Sequence, residues 1–522
     1  MKRAFTKLIS VALAFLFMFV PIMNLKAEAS SLPPEKGNLF IHKYYMEDIS
    51  KAGLPNDGKE TVVPDKAVPL SNISFKLYKV TPENGRYPEG KSVVVDATAL
   101  TVTDEDVTYK LAEAVEVKTD DTGLATAKDL AQGVYVVVEQ PAEPVTIDGK
   151  EINLSPVEPF VTHVPMTNPE GNGWLTDVHV YPKNEGLVAE KVGGTSLSNQ
   201  IGDIMSYRIN TKVPNGVYDA NEAVNAKIKY GINDTLDAAL TLQQDTVKVY
   251  LTDELTGKTT EDKLLVAGVD YNLVSNPSFT VDFTDVGRKK LSDSKYVAIT
   301  FDAKVNEKIL SKKDVTTVDN TAVVDFTNKN GDNITTETPA VTIHTSTVQI
   351  EKISARDSSK LAGATFQIAS SEANAKAGKF LKKDKDGNVL DVGATGYDEA
   401  GEWAEITDAQ GVASFKGVKD YTSVLNEQGK EEQITYLSYW IVETKAPAGY
   451  HLLDAPVQVT FNEETSAGEN PMYTVKTQIK NSKKGLLPKT GSMTAIVLSI
   501  SGIIVLGVGV MLNIIFSKKK HA

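Results

Sequence analysis

The sequence predicts an all-β protein made of three tandem sandwich domains. Short runs of alternating residues rich in Val, Ile, Tyr and Thr recur along the chain, for example at residues 134–138, 247–251 and 457–461. Clusters of Gly, Asn, Asp and Pro separate these runs, and a helical period is confined to short pieces such as residues 372–377. Many short strands with frequent turn signals are typical of immunoglobulin-like sandwiches.

An internal repeat supports the division into three. The first and last thirds of the chain share three signals in the same order: an apolar strand, a turn with Asp and Gly, and a strand that leads to Glu and Pro. These signals lie at residues 72–77, 121–126 and 133–142 in the first copy and at 363–368, 408–415 and 439–450 in the second. Because the middle third lacks them, we expect the first and third domains to share a fold.

The N-terminus has the features of an export signal. Lys2, Arg3 and Lys7 precede an apolar core at residues 8–23, and the small residues at 27 and 29 fit a signal-peptidase site. The chain that remains is long enough for about three domains of ~150 residues. We therefore expect a signal peptide, three domains and a C-terminal sorting region, with bounds at residues 1–29, 30–185, 186–345, 346–484 and 485–522.

The C-terminus combines a pentapeptide, an apolar stretch and a basic tail. The stretch at residues 493–516 is long enough to cross a bilayer as a helix, and three lysines follow at 518–520. Taken alone, these features predict a plain membrane anchor. The pentapeptide directly before them consists of Leu487, Pro488, Lys489, Thr490 and Gly491.

Composition excludes several classes of function. Cysteine is absent, so no disulfide can reinforce an exported domain, and the formal net charge of −13 argues against nucleic acid or an anionic membrane as partner. The six histidines are scattered without ligand-like spacing, so neither a metal site nor a Ser-His-Asp hydrolase site is predicted. No cofactor is expected.

Three motifs together resemble one protein family. The pentapeptide matches the L-P-x-T-G sorting signal, and residues 174–184 match the pilin motif W-x-x-x-V-x-V-Y-P-K-N. Residues 439–450 match the E-box Y-x-L-x-E-T-x-A-P-x-G-Y, with Ile441 in place of Leu. The chain thus resembles the sortase-assembled backbone pilins of Gram-positive bacteria, of the SpaA type. That family has Cna B-type and A-type sandwiches, here expected in the order B, A, B.

The resemblance implies a structural role rather than an enzymatic one. A sortase would cleave between Thr490 and Gly491 and transfer Thr490 to an amine, so the C-terminal helix would serve only as a temporary stop. The implied partners are sortase, other copies of the chain, minor pilins and peptidoglycan, and the implied location is a fimbria anchored to the cell wall. The adhesive ligand, if there is one, is unknown.

Strand alternation places the candidate acceptor of that transfer. In the pilin motif, Val178, Val180 and Asn184 share one face, so Lys183 is expected to point outward and Asn184 into the core. An exposed lysine is usually only a solvated charge. The resemblance assigns to Lys183 the amine that accepts Thr490.

Alternation also places polar residues on apolar faces of the third domain. Lys352, Glu443 and Asn481 each follow inward-facing apolar residues. One interpretation is an ordinary buried ion pair with an amide; the family instead has an intramolecular Lys–Asn isopeptide bond. Burial would supply a neutral amine and a protonated carboxyl, so Lys352 could attack the Asn481 side chain while Glu443 moves protons and ammonia leaves.

The other two domains offer similar triads. In the middle domain the same test selects Lys191, Asp234 and Asn320, and the sequence Asn320-Thr321-Ala322 resembles the last-strand pattern of the A-type sandwich. The first domain offers Lys43, Glu139 and Asn184 with a spacing like that of the third domain. Some relatives lack a bond in this first position.

Two alternatives of other classes remain open on sequence. A wall-anchored adhesin could use the same domains and sorting signal without being polymerised, and Lys183 in its motif argues against this. A wall-anchored hydrolase would need a catalytic constellation that the sequence does not provide.

Overall fold

The computed structural model describes residues 32–46, 57–147, 150–184, 186–194, 196–311, 316–426, 430–466 and 473–484. These residues form many short strands and a few short helices, so the predicted all-β class is confirmed. The predicted export signal at residues 1–29, the sorting pentapeptide at 487–491 and the apolar stretch at 493–516 lie outside the described residues. Within the described ranges, no helix is long and apolar enough to span a membrane.

The first stretch of strands runs to residue 187. Its strands are β1 (Lys36–His42), β2 (Tyr44–Tyr45), β3 (Val68–Pro69), β4 (Ser74–Thr81), β5 (Val93–Asp96), β6 (Thr101–Asp104), β7 (Val107–Leu111), β8 (Val115–Lys118), β9 (Leu124–Ala131), β10 (Gly133–Glu139), β11 (Val145–Ile147), β12 (Lys150–Leu154), β13 (Phe160–Val164), β14 (Met166–Thr167), β15 (Trp174–Leu175), β16 (Asp177–Val180), β17 (Lys183–Asn184) and β18 (Gly186–Leu187).

The second stretch ends at residue 344. Its strands are β19 (Ala189–Gly193), β20 (Ile204–Lys212), β21 (Lys229–Asp234), β22 (Leu240–Leu242), β23 (Lys248–Thr252), β24 (Tyr271–Ser275), β25 (Phe279–Phe283), β26 (Tyr296–Val305), β27 (Thr317–Asn320), β28 (Val323–Thr327), β29 (Asn333–Glu337) and β30 (Val341–His344).

The third stretch ends at residue 481. Its strands are β31 (Ser346–Ser354), β32 (Thr365–Ala369), β33 (Lys382–Lys383), β34 (Val389–Leu390), β35 (Gly401–Glu402), β36 (Glu405–Ile406), β37 (Val412–Val418), β38 (Tyr421–Leu425), β39 (Glu431–Tyr436), β40 (Ser438–Lys445), β41 (Val457–Thr460) and β42 (Thr474–Asn481).

The helices are short, and three of the α-helices have a side-chain cap at their N-terminus. The side chains of Asn221, Thr284 and Ser371 accept hydrogen bonds from main-chain N–H groups of the first turn, as polar residues at this position commonly do. The α-helices are Glu222–Asn225, Asp285–Leu291, Glu372–Lys376 and Glu463–Ser466, and the 3₁₀ helices are Glu261–Lys263 and Glu307–Ser311. The predicted helical piece near residue 372 is confirmed.

The first and third sandwiches share one strand plan. In the first, β1 lies between β9 and β16, and the second layer contains β13, β10 and β4; in the third, β31 lies between β37 and β42, and the second layer contains β36, β32, β40 and β41. In both, the opening strand runs parallel to the closing one: β1 to β16 and then β2 to β17, and β31 to β42. This confirms the fold similarity that the repeat predicts.

The middle sandwich is built differently. One sheet has the order β19-β20-β26-β22, with β23 also paired to β26, and the other has the order β24-β25-β21-β28-β29. Asn320 ends β27, which pairs with β30. Because β28, β29 and β30 follow it, Asn320 does not lie on the last strand of this sandwich, and the last-strand interpretation of its sequence pattern is wrong. The pattern covers only three residues, so it carries no information about how many strands follow it.

The apolar cores follow the strand alternation. In β1 every second residue from Gly37 to Ile41 is buried, and the side chains of Leu39 and Ile41 pack with those of Val137 in β10 and Val164 in β13. A second small core in the first sandwich gathers Tyr78, Val102 and Val136. The cores of the middle and third sandwiches are continuous, because apolar residues from Leu187 to Ile479 belong to one buried cluster.

Candidate functional site

The first sandwich brings Lys43, Glu139 and Asn184 together in its core. The Lys43 Nζ lies 2.6 Å from Glu139 Oε2, and the Asn184 Nδ2 donates to Glu139 Oε1 at 2.5 Å. The Lys43 amine also donates to Asn184 Oδ1. All three side chains are buried, with the lysine fully inaccessible. Every polar group of this triad that can be paired with another member is paired.

The third sandwich repeats this arrangement with Lys352, Glu443 and Asn481. The Lys352 Nζ lies 3.0 Å from Glu443 Oε1, and Asn481 Nδ2 donates to both carboxylate oxygens at 2.9 Å. The Lys352 amine donates to Asn481 Oδ1, as in the first sandwich. All three residues are again buried.

Parallel pairing of the opening and closing strands explains why the same geometry arises twice. Asn184 lies opposite Tyr45, two residues beyond Lys43, and Asn481 lies opposite Ser354, two residues beyond Lys352. Residues two apart in a strand share a face, so each asparagine points to the same side as its lysine. The carboxylate comes from the second layer, where Glu139 pairs with Phe75 and Glu443 with Phe366.

A glycine fixes the main chain at each lysine. Gly123 and Gly411 have φ of +76° and +74°, and each carbonyl accepts the lysine N–H at 2.7 Å. A Cβ at these positions would lie 2.5 Å from the Lys43 carbonyl oxygen and 2.6 Å from that of Lys352. Only glycine fits both the conformation and the close approach. These glycines belong to the repeated Asp-Gly turn, but sequence reasoning gave them no role.

Aromatic rings cover each amine, and sequence reasoning also missed them. Lys43 Nζ lies 5.8 Å from the centre of the Phe75 ring and Lys352 Nζ lies 5.4 Å from that of Phe366. Phe75 and Phe366 occupy matching positions of the repeated apolar strand, which is the signal that could have identified them. The rings exclude water and so make the charged amine costly.

The middle sandwich assembles two of its three predicted residues. Lys191 Nζ lies 2.5 Å from Asp234 Oδ2 and donates to the Thr321 carbonyl at 3.0 Å. Asn320 is buried beside this pair, yet both polar atoms of its side chain, and Asp234 Oδ1, have no hydrogen-bond partner within the described residues. Tyr207 and Phe301 each place a ring centre 5.3 Å from the lysine amine.

Burial shifts the pKa of the three triad lysines and of Asp234 in the direction the chemistry requires. Burial lowers the pKa of Lys352 and of Lys191 to about 8, and it also lowers the pKa of Lys43, although the neighbouring carboxylates act in the opposite sense. Burial raises the pKa of Asp234 to about 6. A neutral amine next to an amide and a carboxyl that can carry a proton could form an amide bond with loss of ammonia.

Lys183 lies on a different surface from its neighbour Asn184. Its side chain is half-buried and lines a cavity of about 290 Å³ that also includes Glu158, Lys212 and Pro214. Partial burial lowers the pKa of Lys183. The amine is therefore accessible and is more readily neutral than that of a fully solvated lysine.

Three of the six histidines take part in two clusters that sequence spacing did not reveal. His42 Nε2 and His179 Nδ1 lie 2.9 Å apart on the outward face of the pilin-motif strand. His344 Nε2 lies 2.9 Å from Asp420 Oδ1, to which Ser198 also donates a hydrogen bond. This second cluster is buried and its serine contacts the aspartate rather than the histidine, so it does not form a nucleophilic site. The described part of the chain holds no group of three acidic or histidine residues suited to a metal ion.

Comparisons with known proteins agree with this architecture. Residues 34–185 match the family described as Gram-positive pilin subunit D1, N-terminal domain, residues 346–475 match the SpaA prealbumin-like fold domain, and residues 479–522 match the LPXTG cell wall anchor motif. The chain is 25% identical over 530 residues to the fimbrial subunit type 1 of Actinomyces viscosus, covering 94% of this chain and 92% of the relative. It is 27% identical over 524 residues to the fimbrial subunit type 2 of Actinomyces naeslundii, covering 93% and 90%.

Two solved structures share the fold. The full-length major pilin SpaD from Corynebacterium diphtheriae matches with a TM-score of 0.55 and 24% identity, over 86% of this chain and 98% of that one. The major pilin SpaA from the same organism matches with a TM-score of 0.51 and 22% identity, over 86% and 100%.

A pilin D1 domain at residues 34–185, a SpaA prealbumin-like domain at residues 346–475 and a wall-anchor motif define a class: the chain belongs to the Gram-positive pilins. It is a structural subunit of a covalently polymerised pilus that is anchored to the cell wall after processing by sortase.

Proposed function

We propose that successive subunits are joined through Thr490 and Lys183. Sortase breaks the peptide bond between Thr490 and Gly491 and holds Thr490 as an acyl group. The Lys183 amine of the next subunit, after it loses a proton, attacks this acyl group, forming an amide and releasing the sortase. Three observations support this: the pilin motif, the accessible position of Lys183 and the partial burial that lowers its pKa.

The proposal includes internal amide bonds between Lys352 and Asn481, Lys43 and Asn184, and Lys191 and Asn320. The lysine amine attacks the asparagine carbonyl carbon, the nearby carboxyl transfers protons, and the asparagine amide nitrogen leaves as ammonia. Glu443, Glu139 and Asp234 take the carboxyl role. The observation that carries this proposal is that the same Lys–Glu–Asn contacts occur in both the first and the third sandwich.

The internal bonds and the intermolecular bond make different demands on the chain. Each bond forms once, so the chain is a sortase substrate and a single-turnover catalyst of its own maturation, not an enzyme. The three sandwiches correspond to domains at residues 30–185, 186–345 and 346–484, stiffened by the internal bonds. Minor pilins and peptidoglycan are the other proposed covalent partners.

A Lys183→Arg variant tests the polymerisation step. Arginine keeps the charge but has no competent amine, so wall extracts boiled in detergent should contain this chain only as monomer. Lys212→Arg is the matched control because Lys212 lines the same cavity. It should give the wild-type ladder of high-mass species on an immunoblot. An undiminished ladder from Lys183→Arg would refute the assignment.

A further inference from the structure

In both triads, a main-chain N–H group holds the carboxylate. The N–H of Val157 donates to Glu139 Oε2 at 3.0 Å, and the N–H of Leu453 donates to Glu443 Oε2 at 3.0 Å. Val157 lies between β12 and β13, and Leu453 lies between β40 and β41, so each donor comes from the segment that connects the carboxylate strand to the next strand of the same layer. A buried carboxylate needs such donors, and the choice of donor fixes its orientation.

The same loops also hold the chain directly after each asparagine. In the third sandwich the His451 N–H donates to the Ser482 carbonyl at 2.9 Å, and the Lys484 N–H donates to the Gly449 carbonyl at 2.8 Å. Tyr450 and Lys483 lie opposite each other between these two bonds.

The first sandwich has the equivalent pairing. Asn153 pairs with Leu187 and Leu154 with Gly186, in antiparallel fashion. These pairs lie just beyond Asn184, as residues 482–484 lie just beyond Asn481. We call residues 150–157 and 447–453 the clasp loops.

We infer that the clasp loops are positioning elements for the internal amide bonds, an inference that rests on the proposed cross-links. Asn184 and Asn481 are each the last residue of a strand, where pairing ends and fraying is easiest. One part of a clasp loop pairs with the main chain just after the asparagine, and another part donates a main-chain hydrogen bond to the carboxylate. It thereby fixes the asparagine amide against the carboxyl before the lysine attacks.

The middle sandwich provides a contrast. There the chain after Asn320 is held by Thr338, whose hydroxyl accepts the Ala322 N–H at 2.9 Å and whose own N–H donates to the Ala322 carbonyl at 2.8 Å. Among the described residues, Asp234 Oδ1 and the Asn320 amide remain without partners. In the middle sandwich, therefore, the segment that holds the chain after Asn320 donates no hydrogen bond to Asp234, and the Asn320 amide is not paired with that carboxylate.

Proline at position 484 tests the inference. Lys484→Pro removes the N–H that binds Gly449, whereas Lys484→Ala keeps it. Lys483→Pro is a second control, because the Lys483 N–H lies between the two loop bonds and points away from the clasp loop. The mature full chain is made by cell-free synthesis and quenched in acid over time. Mass spectrometry of proteolytic fragments then reports each cross-link separately.

Because Lys484→Pro loses one hydrogen bond, the Lys352–Asn481 bond should form about fivefold more slowly in this variant. The Lys43–Asn184 bond of the same molecule should form at the wild-type rate, as should both bonds in the two controls. Replacing the Leu453 amide by an ester keeps the side chain, removes the donor to Glu443 and should slow the same bond. Wild-type rates in both the proline and the ester chains would overturn the clasp. A wild-type chain without any cross-linked fragment would instead refute the proposed bonds themselves.

Discussion

At the scale of single residues, burial decides what the triads can do. Lys352 is fully buried beside Phe366, where a permanent ion pair with Glu443 recovers little more than its desolvation cost. An amide bond with Asn481 would remove the charge from the amine, and the leaving ammonia would carry it away. The aromatic surroundings that make a charged lysine unfavourable therefore favour the cross-linked product.

Glu443→Gln tests this at one residue. Each bond expels one ammonia, so the wild-type chain should weigh about 17 Da less per bond than its sequence mass. Glutamine keeps the shape of Glu443 but cannot transfer the proton, so one such increment should return, as intact mass spectrometry would show. Because the bond would close a loop across 129 residues, its loss should lower the stability of the third sandwich by about 4–5 kcal/mol.

Glu351→Gln serves as the control because Glu351 lies on the same sandwich with an exposed side chain. It should leave the mass deficit unchanged. A wild-type chain at its full calculated mass would mean that the triads are ordinary buried polar clusters.

At the scale of strands and turns, much of the site could be predicted. Alternation along β31, β40 and β42 was enough to place Lys352, Glu443 and Asn481 inward. It could not show that β31 pairs in parallel with β42, because contacts between residues so far apart in sequence leave no local pattern. The clasp loops were invisible for the same reason, since they act through main-chain groups that every residue carries.

The turn glycines allow a test at this scale. Gly411→Ala places a Cβ against the Lys352 carbonyl at a positive φ, so it should displace the lysine and slow the third cross-link. Gly363→Ala is matched, because Gly363 also has positive φ, +81°, but open space around its Cβ. Alanine at a positive φ destabilises the backbone in both variants, but only Gly411→Ala should change the rate at which the Lys352–Asn481 bond forms, as measured by mass spectrometry. Equal rates would show that the glycine does not position the lysine.

At the scale of the whole molecule, the two joints between sandwiches differ. The middle and third sandwiches share a core and a buried polar cluster, in which the hydrogen bonds from His344 and Ser198 keep the pKa of Asp420 below its ordinary value despite burial. The first and middle sandwiches meet where β12 pairs with β18, since Leu187 of β18 belongs to the core of the middle sandwich, and through Lys329, whose partner Glu158 is largely exposed.

Hydrogen exchange should report this difference. The Ile201 N–H donates to Gly417 and the Val389 N–H to Ile201 across the second joint. Asp420→Ala leaves His344 buried without its partner, which costs about 1–3 kcal/mol, so these amides should exchange about tenfold faster. Glu158→Ala, at the first joint, should leave them unchanged. Unchanged exchange in Asp420→Ala would show that the cluster does not hold the joint.

The position of Lys183 next to Asn184 determines which part of a subunit would feel tension. In a fibre joined as proposed, the pulling force enters a subunit at Lys183 and leaves at Thr490. The force therefore does not pass through most of the first sandwich, which precedes Lys183 in the chain. Within that line, the bonds Lys191–Asn320 and Lys352–Asn481 bypass most of the chain. Strands β28–β30, which follow Asn320 and precede Lys352, are bypassed by neither bond. Stretching the pilus would therefore pull these strands apart first. Their pairing with β21 and β27 would determine how much force a subunit withstands before this segment extends to its full length.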